Sequence, residues 1–245
     1  MIKTFKMELL KIKGSKLLFI AIFFSLLSIA QGAGMAKSIA ASGEVGDFWV
    51  SLFSGSTLLY GMFILPMFIT IIIAMITRIE HSNNGWKQLL AFPVKRRNVY
   101  LSKLLLVLIL LLFSVAILIV GIIASGMALG APRHIPYEII VLRPLLALIA
   151  SLPIIGLQFY LSMRFKHIGI PLGLGIGAIL PIILIANSAR YWIFYPWTYP
   201  LLTIMPNSII SIAPEKYGIM YGISVISFIM IILIGLKQFN RKDII

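Results

Sequence analysis

The chain has 245 residues, of which 60% are hydrophobic and 11% are charged. So few charged residues cannot cover a water-soluble globule of this length, and we predict a single membrane domain over 1–245. Cysteine is absent, which excludes disulfides and thiolate metal sites. The net charge of +14 is better explained by basic residues beside membrane spans than by nucleic-acid binding, so we expect no nucleic-acid partner.

The first segment, 1–16, is basic and amphipathic. On a helix, four apolar residues share one face: Ile2, Phe5, Leu9 and Ile12. Lys6 and Glu8 fall elsewhere. Such a helix is expected to lie in the membrane interface with its apolar face toward the lipid, either as an anchor or as a coupling element. The apolar run that follows is interpreted as a retained span, because it and its charged lead are both longer than in a signal peptide.

Six uncharged stretches are long enough to cross a bilayer as helices: 17–35, 55–77, 104–130, 145–163, 168–189 and 218–236. An even number of spans places both termini on the same side of the membrane. Most of the 21 basic residues lie in the segments on that side, so the positive-inside rule predicts cytoplasmic termini. The sequence therefore predicts an all-α membrane protein with six transmembrane helices.

The segment 78–103, between the second and third spans, is the largest predicted cytoplasmic loop. Five of its side chains could contact a soluble partner: Glu80, Trp86, Lys87, Leu89 and Leu90. The three apolar members have helical spacing, so they could lie in the headgroup layer or fill a groove on that partner. The two charged members could steer docking or simply be solvated.

The fourth and fifth spans contain small or polar residues. Gly169, Gly173 and Gly177 recur every four residues, so they line one helix face and allow close approach of another backbone. This face could contact a second subunit or pack within the chain. Gln158 is expected to face the protein interior, where a hydrogen bond between helices is favoured over a contact with substrate.

The last predicted outer segment, 190–217, is rich in aromatic residues and proline. It contains Tyr191, Trp192, Phe194, Tyr195, Trp197 and Tyr199. Aromatic residues of this kind favour the membrane interface, and the prolines should break the segment into pieces that dip into the outer leaflet. The segment could anchor the chain or admit an amphipathic ligand.

Several motifs are absent. There is no G-x-x-x-x-G-K-S/T motif and no H-E-x-x-H motif. The histidines, His81, His134 and His167, fall on different loops. We expect no catalytic, cofactor-binding or metal site in this chain. No acidic residue lies within a span, which argues against an ion-coupled carrier.

The chain resembles the permeases of type-2 ABC exporters, in particular those of lantibiotic-immunity and bacitracin-type transporters. The six-span architecture carries the resemblance over the whole chain. The local similarities cover about a fifth of it: the lead MELLKIKGSK, the hairpin EHSNNGWKQLLAFPVKRR, Lys103 at the start of the third span, and PWTYP in the outer segment.

The resemblance implies a function for each segment. The hairpin 78–103 would be a coupling helix that docks on a separate ATPase subunit through Glu80, Trp86, Lys87, Leu89 and Leu90. That subunit, in two copies, would bind ATP and magnesium. Two permeases, identical or related, would pair through the first and fifth spans, including Gly169, Gly173 and Gly177. The outer segment would be re-entrant and would gate the pathway with Tyr195, Pro196, Trp197 and Tyr199.

The resulting expectation is ATP-driven export of an amphipathic antimicrobial peptide, or its extraction from the outer leaflet of a bacterial cytoplasmic membrane. Three alternatives remain. The machine could move a lipid-linked glycan, a drug or sodium. The chain could be an ion-coupled secondary carrier. It could also be a membrane sensor that transports nothing.

Overall fold

The computed structural model describes residues 2–12, 16–42, 47–81, 95–165, 167–188, 190–205 and 214–241. Every regular element within these ranges is helical, which confirms the predicted all-α class for them. A continuous core of apolar side chains runs through the helix bundle, and its largest fully buried members include Phe53, Phe68 and Phe159.

We number the α-helices of the described residues in chain order. They are α1 (Ile2–Ile12), α2 (Leu17–Ser42), α3 (Phe48–Leu59), α4 (Leu65–His81), α5 (Arg96–Ala128), α6 (Arg143–Ala150), α7 (Leu152–Arg164), α8 (Gly169–Gly177), α9 (Ile182–Ala186), α10 (Tyr199–Ile204) and α11 (Pro214–Arg241). The bundle has two chemically different ends. One end consists of α1, the start of α5 and the last turns of α7 and α11, and we call it the basic end. The aromatic end holds the start of α3 and segment 190–198.

Among the described residues, four continuous helices are long and apolar enough to cross a membrane: Leu17–Ser42, Phe48–Arg78, Arg96–Ala128 and Glu215–Asn240. They contain most of the predicted first, second, third and sixth spans. Each is longer than its predicted span, because its terminal turns carry polar or charged residues that a hydropathy count excludes. The described part of the chain therefore forms a membrane protein with several spanning helices.

The predicted fourth span, 145–163, is a bent pair of helices. Glu138–Ala150 and Leu152–Arg164 meet at an angle of 42°, and they make a fifth crossing if they span the membrane together. The bend lies at Ser151, whose hydroxyl donates to the carbonyl of Ala147 at 2.6 Å. Pro153 follows in the first turn of α7, where its missing N–H would have had no helical partner.

The predicted fifth span, 168–189, is interrupted and is not a continuous helix. It consists of α8, a turn over 178–181, and the five-residue α9. Pro181 lies in that turn, and a proline cannot donate the hydrogen bond that a continuous helix needs there. The break leaves the carbonyl of Ala178 outside the helical ladder, and the hydroxyl of Tyr195 donates to it. The count of six spans accordingly stays a prediction.

The second span contains a π-helical turn at Tyr60–Ile64, between α3 and α4. The N–H of Leu65 donates to the carbonyl of Tyr60, five residues back. Pro66 follows at once and would collide with the preceding turn of a regular helix, so the wider turn relieves that crowding. The turn also places Tyr60 in the interior of the bundle, where it is fully buried.

Candidate functional site

A buried ion pair joins α1 to α5 at the basic end. Lys103 Nζ lies 2.8 Å from Glu8 Oε2, and the two side chains are 0% and 5% exposed. The hydroxyl of Ser102 donates to that of Thr4 at 3.1 Å. Thr4 and Glu8 are one helical turn apart, so they form one polar face of α1. The helix docks on α5 by that face, while its apolar Leu10 remains 68% exposed.

Further hydrogen bonds at the basic end link the ends of α5, α7 and α11. Arg96 donates to the carbonyl of Asn240 at 3.3 Å. Tyr160 donates to the side chain of Gln238 at 3.0 Å and accepts a bond of 2.8 Å from Arg164. The helix α5, which begins within the predicted coupling hairpin, therefore starts from a group of helix ends that are bonded to one another.

Half of the predicted coupling hairpin, residues 82–94, falls outside the described residues. Four of its predicted contact residues lie there: Trp86, Lys87, Leu89 and Leu90. Glu80 belongs to the last turn of α4, and its side chain is likewise not described. Since α4 extends to His81 and α5 begins at Arg96, helices enter the segment 78–103 from both sides.

The four predicted gate residues lie at the aromatic end, where Tyr195 separates two turns of 3-10 helix and Tyr199 begins α10. Tyr195 donates to the carbonyl of Ala178 at 2.6 Å, and burial raises the pKa of its hydroxyl, which stays protonated as a donor. Pro196 begins a turn of 3-10 helix, and the ring centroid of Trp197 lies 5.7 Å from that of Tyr195. Tyr199 is fully buried and donates to a carbonyl within the same segment.

The helix α10 is a wedge buried in the bundle, since all six of its residues are buried. Its last residue, Ile204, lies against the π turn of the second span. A Cβ placed on Gly61 would be 2.7 Å from Ile204 Cγ2, so this close approach requires glycine. Arg143 donates to the carbonyl of Met205 and holds the end of the wedge.

Residues 4–194 match the family model of ABC-2 family transporter proteins. The match covers most of the chain, from the ion pair at the basic end to the first turn of the aromatic segment. The chain belongs to the ABC-2 transporter family. It is therefore a membrane permease of an ABC transporter and associates with an ATPase subunit and the membrane. A search of curated proteins finds no match.

The predicted glycine face of this ABC-2 permease is exposed. Gly169 and Gly173 lie on α8 and Gly177 ends it, and a Cβ added at any of them would meet no described atom within 4 Å. Packing against the described part of the same chain is therefore excluded for these positions. Contact with a second permease stays a prediction.

Polar side chains inside the bundle are hydrogen-bonded between helices. Gln158 is buried and its amide donates to the carbonyl of Pro171 in α8 at 2.8 Å, which confirms its predicted structural role. Ser114 of α5 lies 3.2 Å from Ser25 of α2 and 3.0 Å from the hydroxyl of Tyr60. The first three spans thus share one polar junction centred on α5.

An amphipathic cleft of about 450 Å³ opens between α6, α10 and α11. It is lined by Glu138, Leu142, Arg143, Leu146, Tyr217 and Tyr221, among other residues. In the neighbouring aromatic segment, the buried indole N–H of Trp197 has no hydrogen-bond partner among the described residues. The aromatic end therefore has a cleft with apolar walls and both signs of charge, and beside it an indole N–H for which the described residues offer no acceptor.

Sequence reasoning identified Glu8 and Lys103 separately but missed their pairing. The sequence does contain a signal for this pairing, because Glu8 is the single acidic residue in the strongly basic segment 1–16. Sequence reasoning also missed the contact between Gly61 and Ile204, for which the sequence offers no signal. Among the described residues, no group of three or more potential metal ligands is found.

Proposed function

We propose that this permease belongs to an ATP-driven exporter of an amphipathic antimicrobial peptide of lantibiotic or bacitracin type. The machine would sit in a bacterial cytoplasmic membrane and comprise two ATPase subunits, which bind ATP and magnesium, and a second permease. The termini and the hairpin 78–103 would face the cytoplasm. The peptide would be expelled or lifted from the outer leaflet, which protects the cell.

The observation that carries the choice of cargo is the amphipathic cleft at the aromatic end. Glu138 and Arg143 contribute both signs of charge to its lining, while Leu142 and Leu146 contribute apolar surface. A cationic or zwitterionic peptide with an apolar face matches that combination better than a small polar solute does. The positive-inside rule places this end outside, where such peptides arrive.

The mechanism assigns movement to the hairpin and to α5. Closure of the ATPase subunits would displace the hairpin and, with it, the α5 end that is bonded to α1 by Lys103 and Glu8. The polar junction at Ser114 would transmit that displacement to the π turn against which α10 is wedged. Release of the wedge would then change the shape of the cleft.

A cleft-filling substitution tests the cargo assignment. Leu146→Trp should occupy the cleft, whereas Ile149→Trp on the same helix adds equal bulk at a position that is 40% exposed and outside the cleft. Each variant is reconstituted in nanodiscs with the ATPase subunit, and ATP hydrolysis is measured with and without nisin or bacitracin. We expect Leu146→Trp to lose peptide stimulation at unchanged basal hydrolysis, and Ile149→Trp to keep both.

The same assay separates the competing cargoes. Stimulation of the wild type by a lipid-linked glycan, a drug or sodium, but by neither peptide, would assign the machine a different cargo. Peptide stimulation that survives Leu146→Trp would remove the cleft from the pathway. Transport that needs an ion gradient and persists without ATP would contradict the exporter assignment itself.

A further inference from the structure

A second cleft, of about 550 Å³, lies at the basic end between α1, α2 and α5. Its walls are almost entirely apolar. They include Leu10 of α1, Leu18 of α2, and Leu106, Ile109 and Phe113 of α5. Lys6 is the one charged residue among the described residues that line it. The function proposed above makes no use of this cleft.

The cleft is about two thirds as long as the apolar half of a bilayer, which is about 15 Å thick. Along α5 its lining extends from Leu106, about one turn after Lys103, to Phe113. Seven residues of α-helix correspond to about 10 Å. The cleft therefore leads from the level of the charged helix ends into the apolar part of the bundle surface.

We propose that this cleft binds an anionic phospholipid, with an acyl chain along the apolar walls and the phosphate beside Lys6. An apolar cleft that is lined by one exposed lysine has the two features that a phospholipid needs, an apolar surface for an acyl chain and a cation for the phosphate. A lysine at the end of a membrane helix extends its ammonium group to the headgroup layer, where negative lipids attract it. Lys103 cannot serve in its place, because its ammonium group is buried against Glu8.

A second copy of the chain is a poorer occupant. A protein surface laid over the cleft would bury the ammonium group of Lys6 and would have to supply an acid. Of the seven acidic residues, the sequence places three at this end: Glu8, Glu80 and Asp243. Glu8 is already paired, and lone buried charges are strongly unfavourable. A lipid phosphate supplies the missing negative charge without any residue of the chain.

The test is lipid binding to the full-length permease in mild detergent, followed by native mass spectrometry. The probes are palmitoyl-oleoyl phosphatidylglycerol and phosphatidylcholine, which share acyl chains and differ in charge. One lysine near a membrane surface corresponds to a preference of about five-fold for the anionic lipid. Lys6→Gln should abolish that preference, whereas Lys237→Gln, an exposed lysine at the same end, should keep it.

The role of the apolar walls is tested by placing a bulky tryptophan in the cleft. Ile109→Trp should weaken binding of both lipids, while Leu112→Trp, also lipid-facing on α5 but outside the cleft, should leave both unchanged. Equal affinity of the wild type for the two lipids would overturn the proposal, as would binding that neither Lys6→Gln nor Ile109→Trp alters. A change of oligomeric state with Ile109→Trp at unchanged lipid binding would show that a second copy occupies the cleft instead.

Discussion

Replacing Lys103 by Met is expected to destabilise the permease by about 3–5 kcal/mol. The ammonium group of Lys103 lies 2.8 Å from the carboxylate of Glu8, and both side chains are almost fully removed from solvent. Removal of either charge deprives the other, which stays buried, of its oppositely charged group at 2.8 Å. Glu8→Leu alone should therefore destabilise the fold by a similar amount.

The magnitude follows from the geometry of the pair. At 2.8 Å, two unit charges attract each other by about 6 kcal/mol at an effective dielectric constant of about 20. The desolvation of both ions offsets most of this attraction, so the intact pair contributes little net stability. The double variant, Glu8→Leu with Lys103→Met, should consequently unfold at nearly the wild-type free energy. The losses of stability in the two single variants therefore should not add in the double variant. The coupling energy between Glu8 and Lys103 should be several kcal/mol.

The assay is reversible unfolding in mixed micelles of a mild detergent and sodium dodecyl sulfate, followed by circular dichroism. Lys237→Met serves as the control, because this lysine is exposed at the same end and its loss should change stability by less than about 0.5 kcal/mol. Ser102→Ala, which removes the neighbouring neutral hydrogen bond to Thr4, should cost about 1 kcal/mol. Additive losses in the double variant, or a single Lys103→Met loss no larger than the control, would refute the reasoning.

Three further predictions concern other parts of the molecule. Trp86→Ala should abolish both peptide resistance and peptide-stimulated ATP hydrolysis if this residue docks on the ATPase subunit, and unchanged values of both would contradict the docking. Gly61→Ala should destabilise the fold by about 1–3 kcal/mol in the same unfolding assay, because the new Cβ would lie 2.7 Å from Ile204, whereas Gly222→Ala meets open space. Gly173→Leu should weaken pairing of two permeases in chemical cross-linking if α8 forms the subunit contact, while Gly222→Leu should not; equal cross-linking in both would exclude that face.

The helical class and the long spans could be predicted because hydropathy over about 20 residues is a property of the local sequence. The bend at Ser151 has a local marker in Pro153, and the break before α9 has one in Pro181. Gln158 was also predictable, since an amide inside an apolar span needs a partner within the protein. These features depend on residues close together in the chain.

The parts that could not be predicted depend on the register between distant helices. Glu8 and Lys103 are 95 residues apart, and hydropathy does not say which turn of α1 meets which turn of α5. The same holds for Gly61 and the wedge residue Ile204, whose contact follows from a π turn that no periodicity reveals. The hydropathy of 168–189 indicated one span, although its glycines and Pro181 allow the backbone to break.

The polar contacts of α5 make this helix the best candidate for carrying movement between the two ends. At the basic end Lys103 binds it to α1, and farther along Ser114 binds it to Tyr60 of the π turn. Both contacts are short and buried, so a displacement of α5 that preserves them must also displace α1 and the π turn. A cargo at the aromatic end can favour one position of α5 only through a difference in its affinity for the two states. In the proposed mechanism, the contact between the wedge residue Ile204 and Gly61 would connect that difference in affinity to the movement of α5.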